Sequence, residues 1–134
     1  MMLVNKYLIK ASNDNFLTIS NSGKILCNKS NEKEGEIFSL IYSGRYVSFK
    51  TKDGKYLSVS QSNYILADKD KIDDSERFEI EWLNEYWFIL KCYNGLFVST
   101  DKEGKLEANR KNTIVERFQL QLEERQTLQN FLGY

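Results

Sequence analysis

Histidine and proline are both missing from this chain of 134 residues. Without histidine there is no ordinary proton-transfer group near neutral pH and no imidazole ligand for zinc, which excludes Ser-His-Asp triads and histidine-based metal sites. Without proline no strand loses a backbone donor, so a sheet can run anywhere along the chain. An excess of charge of either sign is lacking too: 19 Lys+Arg meet 19 Asp+Glu. No global field attracts nucleic acid or an anionic membrane, and neither is expected as a partner. Long apolar runs are absent, and Met1-Met2-Leu3-Val4-Asn5-Lys6 has no basic stretch leading into one. The expectation is a soluble, cytoplasmic, monomeric protein.

What is present suffices for a core. The chain is 41% hydrophobic and 13% aromatic, enough to fold as one domain over 1–134. Four short words recur in order at offsets of 40 or 41. The first is Ile9-Lys10-Ala11, Phe49-Lys50-Thr51 and Leu90-Lys91-Cys92. The second is Phe16-Leu17-Thr18, Tyr56-Leu57-Ser58 and Phe97-Val98-Ser99. The third pairs an aliphatic with a small residue two further on: Ile25 with Cys27, Ile65 with Ala67, Leu106 with Ala108. The fourth is Glu36, Phe38, Leu40, then Glu76, Phe78, Ile80, then Glu116, Phe118, Leu120.

Each word alternates with period two and is bounded by Gly, Asn, Asp, Ser or Lys, the pattern of half-buried strands joined by turns. Three repeats, about 7–42, 46–83 and 87–122, then hold four strands each. Closure removes exposed edges and lets each unit bury an apolar face that it could not bury alone. The predicted fold is all-β: a β-trefoil with a six-stranded barrel and a cap of three hairpins. After it, in 123–134, Leu128, Phe131 and Leu132 fall on one stripe of a short helical tail.

Gly54-Lys55-Tyr56-Leu57-Ser58, Gly104-Lys105-Leu106-Glu107-Ala108-Asn109 and Glu116-Arg117-Phe118-Gln119-Leu120 resemble the words of fascin-like β-trefoils, and the resemblance runs from about Tyr7 to Leu122. It implies a non-enzymatic binding protein without a cofactor. Family members best known for bundling actin make actin a possible partner. Fascin resembles four such domains in tandem, so one domain of this kind implies binding a filament without bridging two. The Gln-x-Trp word of ricin-type lectin trefoils is absent, as is the histidine-rich surface of the hisactophilin type.

Candidate site residues come from strand parity. Trp87 precedes an inward Phe88 and corresponds to Tyr46, so both point outward beside turns; with Arg45 and Tyr86 they make a candidate partner-binding patch. Partial burial of Trp87 under neighbouring turns is the alternative. Trp82, with Tyr42 and Leu122, is expected inside one end of the barrel as a plug. Cys27 and Cys92 occupy slots held elsewhere by Ala or Thr and read as buried packing residues. Asp68, Asp70, Asp73, Asp74 and Glu76 lack calcium-loop spacing and read as a solvated acidic loop, so no metal is expected. Recognition of a protein through loops and exposed aromatics is the main functional expectation; a carbohydrate-binding module and an intracellular inhibitor or immunity protein are the alternatives.

Overall fold

Alternating apolar residues become twelve strands in the computed structural model, which describes residues 6–110 and 115–122. They are β1 (Lys6–Ala11), β2 (Phe16–Ile19), β3 (Ile25–Lys29), β4 (Phe38–Ser43), β5 (Tyr46–Lys50), β6 (Tyr56–Val59), β7 (Ile65–Lys69), β8 (Phe78–Trp82), β9 (Phe88–Lys91), β10 (Phe97–Thr100), β11 (Leu106–Arg110) and β12 (Phe118–Leu122). Antiparallel pairing runs β1-β4-β5-β8-β9-β12 and back to β1, closing a six-stranded barrel. The hairpins β2–β3, β6–β7 and β10–β11 lie off it. This is the predicted β-trefoil. The helical stripe expected in 123–134 lies outside the described residues.

The register makes the threefold explicit. Tyr7 faces Phe38, Val47 faces Phe78 and Phe88 faces Phe118, one equivalent pair joining the first and fourth strands within each repeat. Phe38, Phe78 and Phe118 are fully buried, as the fourth word predicts. Phe49 meets Phe78 edge-on at 5.7 Å between ring centres, and Phe88 meets Phe118 at 5.9 Å. Such contacts add to the burial of aromatic area, which dominates core energetics. The apolar gap left on the axis, among Ile9, Phe49 and Leu90, holds only about 10 Å³. It is too small for a ligand, so the barrel interior is packing and any function lies outside it.

The cap explains the small residue in the third word. The turn of each hairpin lies over the next hairpin, and its carbonyl accepts from that hairpin's small residue. Ala67 N–H donates to the Gly23 carbonyl (2.8 Å), Ala108 to Asn63 (2.7 Å) and Cys27 to Gly104 (2.9 Å). Gly23, Asn63 and Gly104 all have positive φ, a backbone that glycine adopts freely and asparagine tolerates. The closeness of the layers forbids bulk: a Cβ on Gly104 would stand 3.4 Å from the Cys27 carbonyl oxygen.

Ala108 is completely buried at this contact. Ala108→Leu would force the Asn63 turn away, and overpacking of this kind costs about 1–3 kcal/mol. The expected result is a lower urea midpoint at unchanged denaturant slope, read by far-UV circular dichroism.

Candidate partner-binding surface

Hairpin β4–β5, strand β8, the end of β9 and the turn after it surround a groove of about 680 Å³ lined by Arg45, Tyr46, Arg77, Glu79, Lys91 and Tyr93, among others. Antiparallel pairing brings the strands' outward residues together: Tyr46 stands opposite Glu79, and Glu79 opposite Lys91. The guanidinium of Arg45 donates to the Tyr46 hydroxyl (3.1 Å) and lies 3.6 Å from the Glu79 carboxylate. The bond to Tyr46 first, and the Glu79 carboxylate after it, push the Arg45 pKa further up. Arg77 donates to Asp74 at 3.1 Å. Arg45, Arg77 and Lys91 against Glu79 and Asp74 leave the groove cationic. Tyr93, 57% exposed, adds an accessible ring at the edge.

The groove falls where the threefold breaks. At the junction of the third and first repeats, the Glu116 carboxylate accepts from the Ser12 N–H (2.9 Å) and hydroxyl (2.5 Å), fastening one repeat to the turn of the next. Between the first and second repeats Glu36 holds the equivalent place beside the Lys52 backbone; burial pushes its carboxyl pKa up while that backbone pulls it down. The third such glutamate turns away. Glu76 accepts from the Asp73 N–H (2.8 Å) and from the Ser75 hydroxyl, within its own short 3-10 turn, Asp74–Glu76. The turn it would have fastened, Cys92-Tyr93-Asn94-Gly95, borders the groove instead. Lys91 departs as well: Lys10 and Lys50 lie over the rings of Phe16 and Tyr56, whereas Lys91 lines the groove.

The four expected site residues fall into two pairs. Arg45 and Tyr46 are joined and line the groove. Tyr86 and Trp87 lie on the β8–β9 hairpin, where both backbone N–H groups donate to Asn84 Oδ1 at 2.8 and 3.0 Å. Tyr46 and Trp87 hold equivalent places in successive repeats, so the threefold sets them a third of a turn apart, and no bond or ring contact between the pairs occurs among the described residues. Tyr86 is exposed; Trp87 is half-buried.

Trp82 corrects the expected plug. Its ring does sit on Phe88, 5.0 Å between centres, but it is 47% exposed, with Tyr42 at 53% and Leu122 at 41%. The cause is stagger. Strand β5 joins β8 only through Val47 and Tyr46, so Trp82 extends beyond that pairing and is covered on one side alone. The acidic loop is solvated where it was expected to be: Asp70 meets Lys55 at 2.6 Å on the surface. Its last member differs, since Glu76 is buried. Sequence reasoning also missed Arg77, Glu79 and Lys91 as groove residues; the register Tyr46–Glu79–Lys91 across β5, β8 and β9 was the signal that could have found them.

A pseudo-threefold barrel with a surface groove and an axial gap too small for a ligand is a β-trefoil scaffold. Comparison with known proteins specifies it: the fascin domain model matches residues 2–80 and 22–120, and the chain belongs to that family. Fascin-2 of Bos taurus is 22% identical over 100 residues, 75% of this chain; the chain spans only a fifth, 20%, of that relative's length. Among solved structures, a lysenin pore superposes with a TM-score of 0.72 at 14% identity, over 92% of this chain and 48% of the other. The designed 3-fold symmetric protein ThreeFoil superposes at 0.70 and 13% identity, over 90% of this chain and 99% of its own. At these identities the structures establish the fold alone. Among the described residues no helix is long and apolar enough to cross a membrane.

The two thiols, Cys27 and Cys92, are both buried and free. Burial is the first cause for each: it pushes Cys27 from 9.0 up to about 11, with Glu116 adding to the rise, and Cys92 from 9.0 up to about 12. A thiol with a raised folded pKa favours folding fully below its unfolded value. That contribution is lost as pH rises through the folded value. Stability should therefore fall from about pH 9 toward pH 11–12, and the Cys27→Ala/Cys92→Ala variant should show a smaller fall. Urea midpoints of both proteins across that range provide the check, and a native thiol titration at neutral pH should find neither sulfur reactive.

Proposed function

We propose that this fascin-domain protein is a non-enzymatic binding protein that recognises a protein partner through its surface turns, with the Arg45–Tyr46 groove and the Tyr86–Trp87 hairpin as contact sites. The observation carrying this reading is the groove itself: Arg45 and Arg77 with the half-buried Tyr46 and the exposed Tyr93, gathered at the junction where the fastening made by Glu116 is not repeated. Arg, Tyr and Trp are the side chains that dominate binding energy at protein interfaces. Family membership supports a binding role, the fascin and β-trefoil families being generally non-enzymatic. Actin is the partner that the family resemblance favours, and a monomer in the cytoplasm is the form proposed to act.

A glycan is the second reading, and a specific feature favours it. Tyr93 offers an exposed ring in the same groove as the carboxylates of Glu79 and Asp74, the combination that holds a sugar ring.

Cosedimentation with filamentous actin tests the first reading. The wild-type chain is expected to pellet with filaments, and Arg45→Ala/Tyr46→Ala and Tyr86→Ala/Trp87→Ala should each weaken binding about 30-fold or more while keeping the native circular dichroism spectrum. A chain that stays in the supernatant would remove actin, leaving pull-down from its own source lysate and a glycan array to decide between protein and sugar. Folded variants that bind undiminished would remove these residues from the site.

A further inference from the structure

We infer that the groove holds a carboxylate-receiving slot at the Tyr93 backbone N–H, and that its occupant is an Asp or Glu side chain of the protein partner. The inference rests on the protein-partner reading and supplies the chemistry of its contact.

The chain contains one filled copy of the slot and a second with a glutamate beside it. Ser12, Lys52 and Tyr93 each follow the last residue of a repeat's opening word, and the three turns are built alike: Ala11 N–H donates to Asn15 O (2.9 Å), Thr51 to Lys55 (2.7 Å), Cys92 to Leu96 (2.7 Å). The closing bonds match too, with Asp14, Gly54 and Gly95 each donating to that same first residue at 3.0 Å. The donor after the first turn residue therefore points the same way in all three. In the first copy it meets a glutamate of the preceding repeat, Glu116 accepting from the Ser12 N–H at 2.9 Å; in the second, the Lys52 backbone is near enough to Glu36 to pull that carboxyl's pKa down. In the third copy Glu76 is turned onto Asp73 and Ser75, and among the described residues nothing accepts from Tyr93 N–H.

The surroundings of the third copy suit an anion arriving from outside. Arg77 and Lys91 line the same groove. Arg77 is held only by the outlying Asp74, itself 86% exposed, and Lys91 has no ion-pair partner among the described residues. An incoming carboxylate would accept from the Tyr93 N–H and one or both cations, as Glu116 accepts from Ser12. Bonds to charged acceptors are the stronger class.

Amide NMR of the full chain, titrated with the tripeptide acetyl-Glu-Glu-Glu-amide and with its Gln counterpart, reads the slot directly. The Tyr93, Gly95 and Arg77 signals should shift saturably with the Glu peptide and stay still with the Gln peptide. Tyr93 is the second residue of its turn, where proline fits, so Tyr93→Pro removes the donor and keeps the bend. Tyr93→Ala removes the ring and keeps the donor. The Ala variant should retain the response, and the Pro variant should bind about tenfold more weakly. Should the Pro variant fail to fold, Arg77→Gln takes its place and should weaken the Glu peptide while leaving Tyr93 as the centre of the residual shifts.

Three results would overturn the slot: equal response to both peptides, shifts centred away from the Tyr93 turn, or equal affinity in the Pro and Ala variants. If the chain binds a protein partner with undiminished affinity in Tyr93→Pro, the slot falls and the protein reading stands. If the Glu peptide binds as described while no protein is bound, the carboxylate slot stands and its assignment to a protein partner falls.

Discussion

Three backbone hydrogen bonds, Ala67 to Gly23, Ala108 to Asn63 and Cys27 to Gly104, close a ring across the hairpin cap, and the rest of the architecture depends on it. Each hairpin donates from its small residue to the turn of another, so none can be placed before its neighbours. A repeat of about forty residues has an apolar face and no way to bury it alone. The ring makes that mutual dependence geometric. It fixes the distance between hairpins at hydrogen-bond length, which in turn demands Ala or Cys at the contact and a positive φ in the turn above. Beneath it, Ile25, Ile65 and Leu106 are held fully buried against the barrel strands.

A closed ring of equivalent interactions distributes stability over three repeats, and departures from equivalence stand out against it. The glutamate of the fourth word has one sequence context in outline and two conformations. Glu116 and Glu36 reach forward to the next repeat, whereas Glu76 reaches back. The reason is local. Asp73 caps the 3-10 turn Asp74–Glu76, and its N–H competes for the same carboxylate. Once Glu76 is engaged there, the Tyr93 turn loses its tie, and Arg77 and Lys91 border open space in place of a fastened seam. Such local departures from a consistent plan are where function is generally placed.

The fold was legible in the sequence because every structural device occurs three times. A single Ile-x-Cys pair says little; with Ile-x-Ala and Leu-x-Ala at the same spacing it marks a position where size is constrained, and the cap contacts supply the reason. Trp82 was misjudged for a complementary reason. Alternation assigns a side chain to a face of its strand, and it carries no information on whether a second strand covers that face. Stagger in the barrel decides that, and it leaves Tyr42, Trp82 and Leu122 half-covered. The candidate site was legible only in part. Arg45 and Tyr46 could be picked out as adjacent and outward-pointing, but Glu79 and Lys91 join them through pairings between three strands, and the free Tyr93 turn follows from a conformation of Glu76 that its two counterparts do not share.

The ion pairs of the groove are suited to exchange. Arg45–Glu79 and Arg77–Asp74 are exposed, and pairs of that kind contribute little to stability in water. Trading Asp74 for a partner's carboxylate therefore costs the fold little, while the same guanidinium gains strength once a partner excludes solvent and lowers the local dielectric. The fastened junctions have the opposite character. There the carboxylate comes from the chain itself, Ser12 supplies two donors to one oxygen, and nothing is left to offer. In the proposed reading one structural element has two uses: closed by Glu116 it holds repeats together, and left open beside Arg77 and Lys91 it presents to a second molecule the contact that the scaffold makes with itself.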